Sequence, residues 1–407
     1  MNRKQLTLLI VLGVVLGGLG YISYKKKQSG YERGSDSGDD SRRLLKGVPT
    51  NAINDVAEIT IKSGAAEVNL VRAAQGWTVK ERGGYPANFN TISDTVRKLW
   101  DLKVTRAVEA GPSRLPRLKL TKADGTWIDL KDDKGKSIAS LTLGLQTSKD
   151  AGDDSPFGGG SFPNGRYVMR GEDVKTIAVV ADPLNVEAKP EDWLNKDWFK
   201  VEKPKSVSVV TTNATNNWKL VRETESAEWK LADAKAGETA DSGKASGLNY
   251  LLSSPSFNDV LVDPKPENTG LDHATTATIE TFDGFTYTIQ LGKIPTGEEN
   301  YAMKVSVGGS FPKERTPGKD EKAEDKEKLD KEFAESHKKL EDKVKSEKQF
   351  EKWTYSVAKW SVDNLLKERK DFLAEKKEEP KTEEPKPTDA PNPADAPKIE
   401  LKPPEKQ

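Results

Sequence analysis

Two stretches of the chain carry the same spacing of apolar and polar positions. Val68–Val79 reads VNLVRAAQGWTV, and Trp218–Leu231 reads WKLVRETESAEWKL. Each sets apolar side chains at alternate positions around a polar break, which predicts a β-hairpin. Leu70-Val71-Arg72 matches Leu220-Val221-Arg222 letter for letter, and Trp77 matches Trp229. The flanks match too, so the pattern predicts one module used twice, over residues 51–200 and 201–373.

In the first copy, Val56–Lys62 alternates as a half-buried strand does. Gln75-Gly76 reads as the hairpin turn, and Gly83-Gly84-Tyr85-Pro86 breaks the sheet. Thr91–Trp100 places Ile92, Val96, Leu99 and Trp100 on one face of a helix. Val104–Val108, Leu118–Leu120, Trp127–Leu130, Ile138–Leu143, Tyr167–Met169 and Thr176–Val180 read as further strands. A polar loop is expected over Thr147–Gly165 and a short helix over Glu191–Phe199. The second copy repeats the order. Val207–Val210 is its first strand, and Ser242–Leu252 is its helix. Asp283-Gly284 turns a hairpin, and Leu291-Gly292 answers Leu143-Gly144. Tyr301–Met303, Trp353–Val357 and Asp363–Phe372 answer the closing elements. Strand following strand across short turns, with one helix per copy, predicts an α+β fold with mainly antiparallel sheets.

Three further stretches depart from this pattern. Leu6–Tyr24 is 19 residues long, uncharged and mostly apolar, close to the roughly 20 that span a bilayer as a helix. With its basic flanks it predicts a transmembrane anchor over residues 1–27, followed by a flexible tether over 28–50. Basic groups balance on the two sides, so they give no orientation. Residues 313–350 form a charged insertion that the first copy lacks, in which Leu329, Phe333, Leu340 and Val344 make a narrow apolar stripe. This suggests a projecting helix or helical hairpin whose stripe docks a partner. Residues 374–407 are rich in Pro, Glu and Lys and read as a disordered tail.

Composition narrows the function classes. Lysine plus arginine and aspartate plus glutamate both number 65, so the formal net charge is zero, and no electrostatic footprint for nucleic acid exists. There is no cysteine, which removes disulfides, thiolate metal sites and cysteine nucleophiles. The two histidines, His273 and His337, lie in different segments without ligand spacing. Ser336–Lys339 and Ser23–Lys26 fit Ser-x-x-Lys, but one lies in the charged insertion and the other at the membrane edge. Asp150, Asp153 and Asp154 lack a calcium-loop pattern, and Gly158–Gly160 does not lead from a strand into a helix. No catalytic residue, cofactor or metal is therefore expected. Most of the nine tryptophans read as packing, with Trp127, Trp353 and Trp360 left open.

The N-terminal MNRKQLTLLIVLGVVLGGLGY resembles the bacterial domain of unknown function 4340 family. So do GWTVKERGGYPANF, SSPSFNDV, SPFGGGSFPNGRYVM and KPEDWLNKDWF. The resemblance implies a single-pass inner-membrane protein with repeated periplasmic domains, associated with an ABC-type transport system. It brings no catalytic residues. The expected function is thus a non-enzymatic accessory or scaffold subunit that contacts the membrane and protein partners. The alternative is an envelope hydrolase or cell-wall polymer-binding protein with a cleft between the copies.

Overall fold

A computed structural model describes residues 42–150, 161–295, 299–317 and 321–375. The expected anchor, most of the tether, Asp153, Asp154, Gly158–Gly160 and nearly all of the tail lie outside the described residues. Within them, no helix is long and apolar enough to cross a membrane.

Alternation in the sequence becomes two antiparallel sheets. The first contains β1 (Glu58–Ser63), β2 (Ala66–Ala73), β3 (Gly76–Val79), β4 (Tyr85–Pro86) and β5 (Val104–Ala107). It continues with β6 (Thr126–Lys131), β7 (Ser137–Asp150), β8 (Ser161–Arg170) and β9 (Ala178–Val180). The spatial order is β4-β3-β2-β1-β6-β7-β8-β9-β5. On β6, Thr126, Ile128 and Leu130 are buried while the residues between them are half-buried, so one face meets the core. Helix α1 (Phe89–Trp100) covers that core. It starts at Asn88, whose side chain accepts from the Thr91 N–H at 3.2 Å and so satisfies one free donor of the first turn. Its buried residues are Ile92, Val96, Leu99 and Trp100, the face that the spacing predicts.

After α1 the chain reaches the far edge as β5 and returns to the sheet centre by a crossover, residues 108–125. The crossover covers the other sheet face. Val168 belongs to the main core, whereas the next residue, Met169, packs with Leu120 and Ile177 in a small second core. Neighbouring residues of a strand face opposite ways.

The second sheet contains β10 (Pro204–Val210), β11 (Trp218–Val221), β12 (Lys230–Leu231) and β13 (Asp259–Leu261). Its other strands are β14 (Thr275–Thr281), β15 (Phe285–Lys293), β16 (Asn300–Gly309) and β17 (Thr354–Ala358). Their order is β12-β11-β10-β14-β15-β16-β17-β13, which is the first sheet's order without β4. The register agrees as well: Leu70 faces Val79, and Leu220 faces Leu231. The crossovers share a backbone device. Lys119 (φ 51°) and Gly270 (φ 65°) are both left-handed. The preceding carbonyl then lies against a strand glycine in each sheet. A Cβ on Gly144 would meet the Leu118 oxygen at 2.4 Å, and one on Gly292 the Thr269 oxygen at 2.3 Å.

Several expectations are corrected. Leu118–Leu120 is not a strand. Pro112 and Pro116 each open a 3-10 turn, and Leu118 and Leu120 pack into the second core instead of joining a ladder. Glu191–Phe199 is helical only as a 3-10 turn at Pro190–Trp193. Its backbone pairs with the chain beyond β4, with Asn88 N–H donating to the Trp193 oxygen and Asn195 N–H to the Pro86 oxygen. Gly83 and Gly84 do not end the first sheet, because Tyr85-Pro86 adds β4 as its edge. Of the polar loop expected over Thr147–Gly165, residues 147–150 and 161–165 pair as a ribbon extending β7 and β8, and 151–160 lie outside the described residues. Asp363–Phe372 is split between α3 (Lys359–Leu366) and a 3-10 turn at Arg369–Phe372. The helix over Ser242–Leu252 is one α turn followed by a 3-10 turn, consistent with the poor helix propensity of Gly243 and Gly247.

The chain is a mixed α+β protein with two antiparallel sheets, and one continuous hydrophobic core runs through both.

Candidate interaction site

The charged insertion forms one long helix, α2 (Ala323–Glu347). It has few apolar side chains, so it can pack only along a narrow stripe. The stripe is Leu329, Phe333, His337, Leu340, Val344 and Glu347, spaced by three or four residues. All of these are half-buried except Glu347, which is buried.

The C-terminal half of the stripe is docked on the second sheet. Leu340 and Val344 pack against the main core, as does Phe311. Phe311 meets the Phe285 ring edge-on, centroids 5.1 Å apart, and lies 6.1 Å from the His337 ring. The Glu347 carboxylate accepts from the Tyr287 hydroxyl at 2.8 Å and from the Lys200 N–H at 3.3 Å. Burial raises the Glu347 carboxyl above its ordinary range, against the pull of those donors and Lys343. Lys343 pairs with Glu202 at 2.6 Å and lies over the Phe285 ring. Outside this docked half, Arg315 bonds Asp330 at 2.7 Å and also pairs with Glu321, tying the chain entering the helix to its first turns. Phe333 contributes its ring to His337 at 6.2 Å.

The sequence-predicted docking residues therefore fall into two groups. Leu340 and Val344 hold the helix to its own sheet, while Leu329 and Phe333 lie toward its N-terminal end. Sequence reasoning missed His337 and Glu347 as members of the same stripe. Their i+3 and i+4 spacing was a usable signal, but their polarity hid it.

The seam between the sheets is aromatic and charged. Tyr85 meets Phe257 and Trp353 edge-on, at 5.8 and 5.2 Å. Trp198 lies 5.0 Å from Phe257 and 4.7 Å from Tyr355. Burial pushes the Tyr85 phenol up to about 12. Arg82 forms a two-pronged pair with Asp259, at 2.6 and 2.7 Å, and also bonds Glu191. That Asp259 pair raises the already high guanidinium pKa. Lys196 donates to the Asn258 oxygen at 2.8 Å and lies over the Phe257 ring. Beside the seam runs a groove of about 740 Å³ whose walls include Trp77, Tyr85, Pro86, Asp197, Lys352 and Trp353.

The remaining sequence candidates are scattered. His273 is 80% exposed, with Asp272 beside it at 3.6 Å. Ser336 lies on the exposed side of α2. Among the described residues, no group of three or more His, Cys, Asp or Glu side chains could hold a metal. Trp77 and Trp229 are both buried, Trp353 lines the groove, Trp127 lies beneath Lys122, and Trp360 is exposed.

These features describe a two-sheet protein with a docked charged helix and an inter-sheet groove. Residues 77–274 match the family model described as a domain of unknown function, DUF4340, and over that stretch the chain belongs to this family. The match runs from the first hairpin into the second crossover and so touches both sheets. No curated protein and no solved structure matches the chain.

Proposed function

We propose that the chain is a non-enzymatic scaffold or accessory subunit of a membrane complex of the ABC-transport kind. In this reading Leu6–Tyr24 anchors it in the inner membrane, and two tandem copies of one module stand on the periplasmic side. The common strand order and the matched left-handed crossover residues support the duplication. One observation carries the scaffold reading. Helix α2 is fixed at its C-terminal half, while Leu329 and Phe333 are half-buried and flanked by exposed charged residues of the helix. Such a surface offers a small apolar anchor within a polar rim.

The test is a mild-detergent pull-down of the full-length protein from its native membrane. The scaffold reading expects wild type to recover permease and ATPase subunits, and Leu329→Ser/Phe333→Ser to lose them. If the wild type recovers neither, the reading is wrong. Replacing Leu340 or Val344 is a poor test, because these residues hold the helix to its own sheet.

The groove favours a second reading, binding of an envelope polymer along Trp353. Glycoside hydrolysis generally requires two carboxyl groups placed about 5–10 Å apart. Asp197 is the one carboxylate among the groove's described lining residues, so this reading is binding without cleavage. Loss of cell-wall glycan binding in Trp353→Ala would support it, and equal binding by the variant would remove it.

A further inference from the structure

The first crossover is unusually basic for a chain of zero net charge. Residues 108–125 carry four lysines and arginines against two acids, Glu109 and Asp124, and Arg106 at the end of β5 adds a further positive charge beside them. The equivalent crossover, residues 262–274, carries three acids, one lysine and His273. Both crossovers run from the edge strand back to the sheet centre and place a left-handed residue against a strand glycine, and the second does so with one lysine, so the connection itself does not require basic residues there.

Three of the arginines converge. Arg106, Arg114 and Arg117 line one pocket of about 530 Å³, together with Tyr167, Leu118 and Glu109. The pocket sits over the small second core, whose partly buried members include Val108, Leu118 and Tyr167. The three arginine side chains are exposed. None forms an ion pair or hydrogen bond with another described residue, and neither does the Tyr167 hydroxyl. Several arginines elsewhere are committed: Arg82 to Asp259, Arg315 to Glu321, and Arg369 to Asp233 and Glu238.

Three like charges around one concavity repel each other and raise the local positive potential. A guanidinium presents a planar fork of donors that matches two oxygens of a phosphate. The phenol adds a further donor, and Val108 and Leu118 give the pocket an apolar floor. Glu109 is the single opposing charge, which favours a compact, highly charged anion over a diffuse one.

We propose that this pocket binds a phosphate-bearing anion, held by Arg106, Arg114 and Arg117 with Tyr167 as an additional donor. The ligand is a phosphate monoester or diphosphate, either free or as the headgroup of an anionic lipid. This proposal does not depend on the scaffold reading.

The test is calorimetric titration of the full-length chain with inorganic pyrophosphate and, separately, with a soluble short-chain phosphatidic acid. Saturable binding of either probe is expected. Tighter binding of the lipid analogue identifies a headgroup site, and tighter pyrophosphate binding identifies a free phosphate site. Each of Arg106→Gln, Arg114→Gln and Arg117→Gln should weaken binding about fivefold, on the scale of an exposed charge-assisted hydrogen bond. The triple variant should abolish it. The substituted side chains are exposed, so thermal melts should match wild type, and the single variants serve if the triple variant melts early. Lys265→Gln, in the equivalent crossover, should bind as wild type does. The proposal fails if neither probe binds saturably, if the arginine variants bind like wild type, or if Lys265→Gln weakens binding as much as they do.

Discussion

Lys119 and Gly270 hold the same left-handed turn at the same place in the two sheets, but only one of them is glycine. A non-glycine residue in this conformation costs about 1–2 kcal/mol, and glycine returns part of that gain as unfolded-chain entropy. Lys119→Gly should therefore stabilise the protein by about 0.5–1 kcal/mol. The reverse change is far worse. A Cβ on Gly270 would lie 2.5 Å from the Lys293 oxygen, so Gly270→Ala should destabilise by about 2 kcal/mol or more. Urea melts of the two variants check both signs. Glu347 offers a second residue-scale test. Its raised carboxyl pKa means that the docked helix holds this proton longer than an undocked one would. The contribution is most favourable below the ordinary value of 4.5 and declines as pH rises through the window above it. Glu202 acts the other way. Its pKa is lowered by Lys343, so its contribution is present above the ordinary carboxylate range and is lost as pH falls. Comparing Glu347→Gln with wild type isolates the first effect. Protection of α2 from hydrogen exchange should fall less with rising pH in the variant. An identical pH dependence in both proteins would contradict the assignment.

Helix α2 shows how packing divides one stripe into two roles. Leu340 and Val344 contact the main core, and a Cβ on Gly309 would touch Val344 at 3.0 Å. Leu340→Ser/Val344→Ser should release the helix at a cost of about 2–3 kcal/mol and expose residues 323–347 to limited proteolysis. Leu329→Ser/Phe333→Ser should cost about 1 kcal/mol and leave the cleavage pattern unchanged. Other elements differ in how plainly they could be read from the chain. The α1 face of Ile92, Val96, Leu99 and Trp100 was legible because four apolar residues recur at helical spacing. The turn at Asp283-Gly284 was legible because Gly284 needs a positive φ, 88°. Leu118–Leu120 was misread because its apolar–polar–apolar pattern is also what a proline-bounded crossover shows when it buries two leucines. The β7–β8 ribbon was missed because its outer part is polar on both faces, so it carries no alternation. At three residues, β13 is too short to give a periodic signal. Of the candidate site, the apolar stripe was legible. The three-arginine pocket was not, because Arg106 comes from strand β5 and Arg114 and Arg117 from two later 3-10 turns, which only the folded crossover brings together.

At the scale of the molecule, two sheets with the same strand order share one core, and the seam between them determines whether they move as one. Trp198, on the segment whose backbone pairs with β4, is buried against Phe257 and Tyr355, the rings that Tyr85 of β4 also meets. Removing a buried tryptophan typically costs about 3–5 kcal/mol. Trp198→Ala should lower stability on that scale and split a single unfolding transition into two, as followed by calorimetry. The two-pronged Arg82–Asp259 pair is partly buried, so Asp259→Asn should weaken the seam more than loss of an exposed pair would. A rigid seam suits a scaffold, whereas an enzyme closing on polymer in the groove needs a hinge. The absence of cysteine makes this directly measurable. Spin labels at Lys134→Cys in the β6–β7 turn and Ser226→Cys in the β11–β12 loop, both exposed sites, report the distance between the two halves. A rigid seam gives one narrow distance distribution, unchanged when cell-wall oligosaccharide is added. A broad or two-peaked distribution, or one that shifts with the sugar, would contradict it.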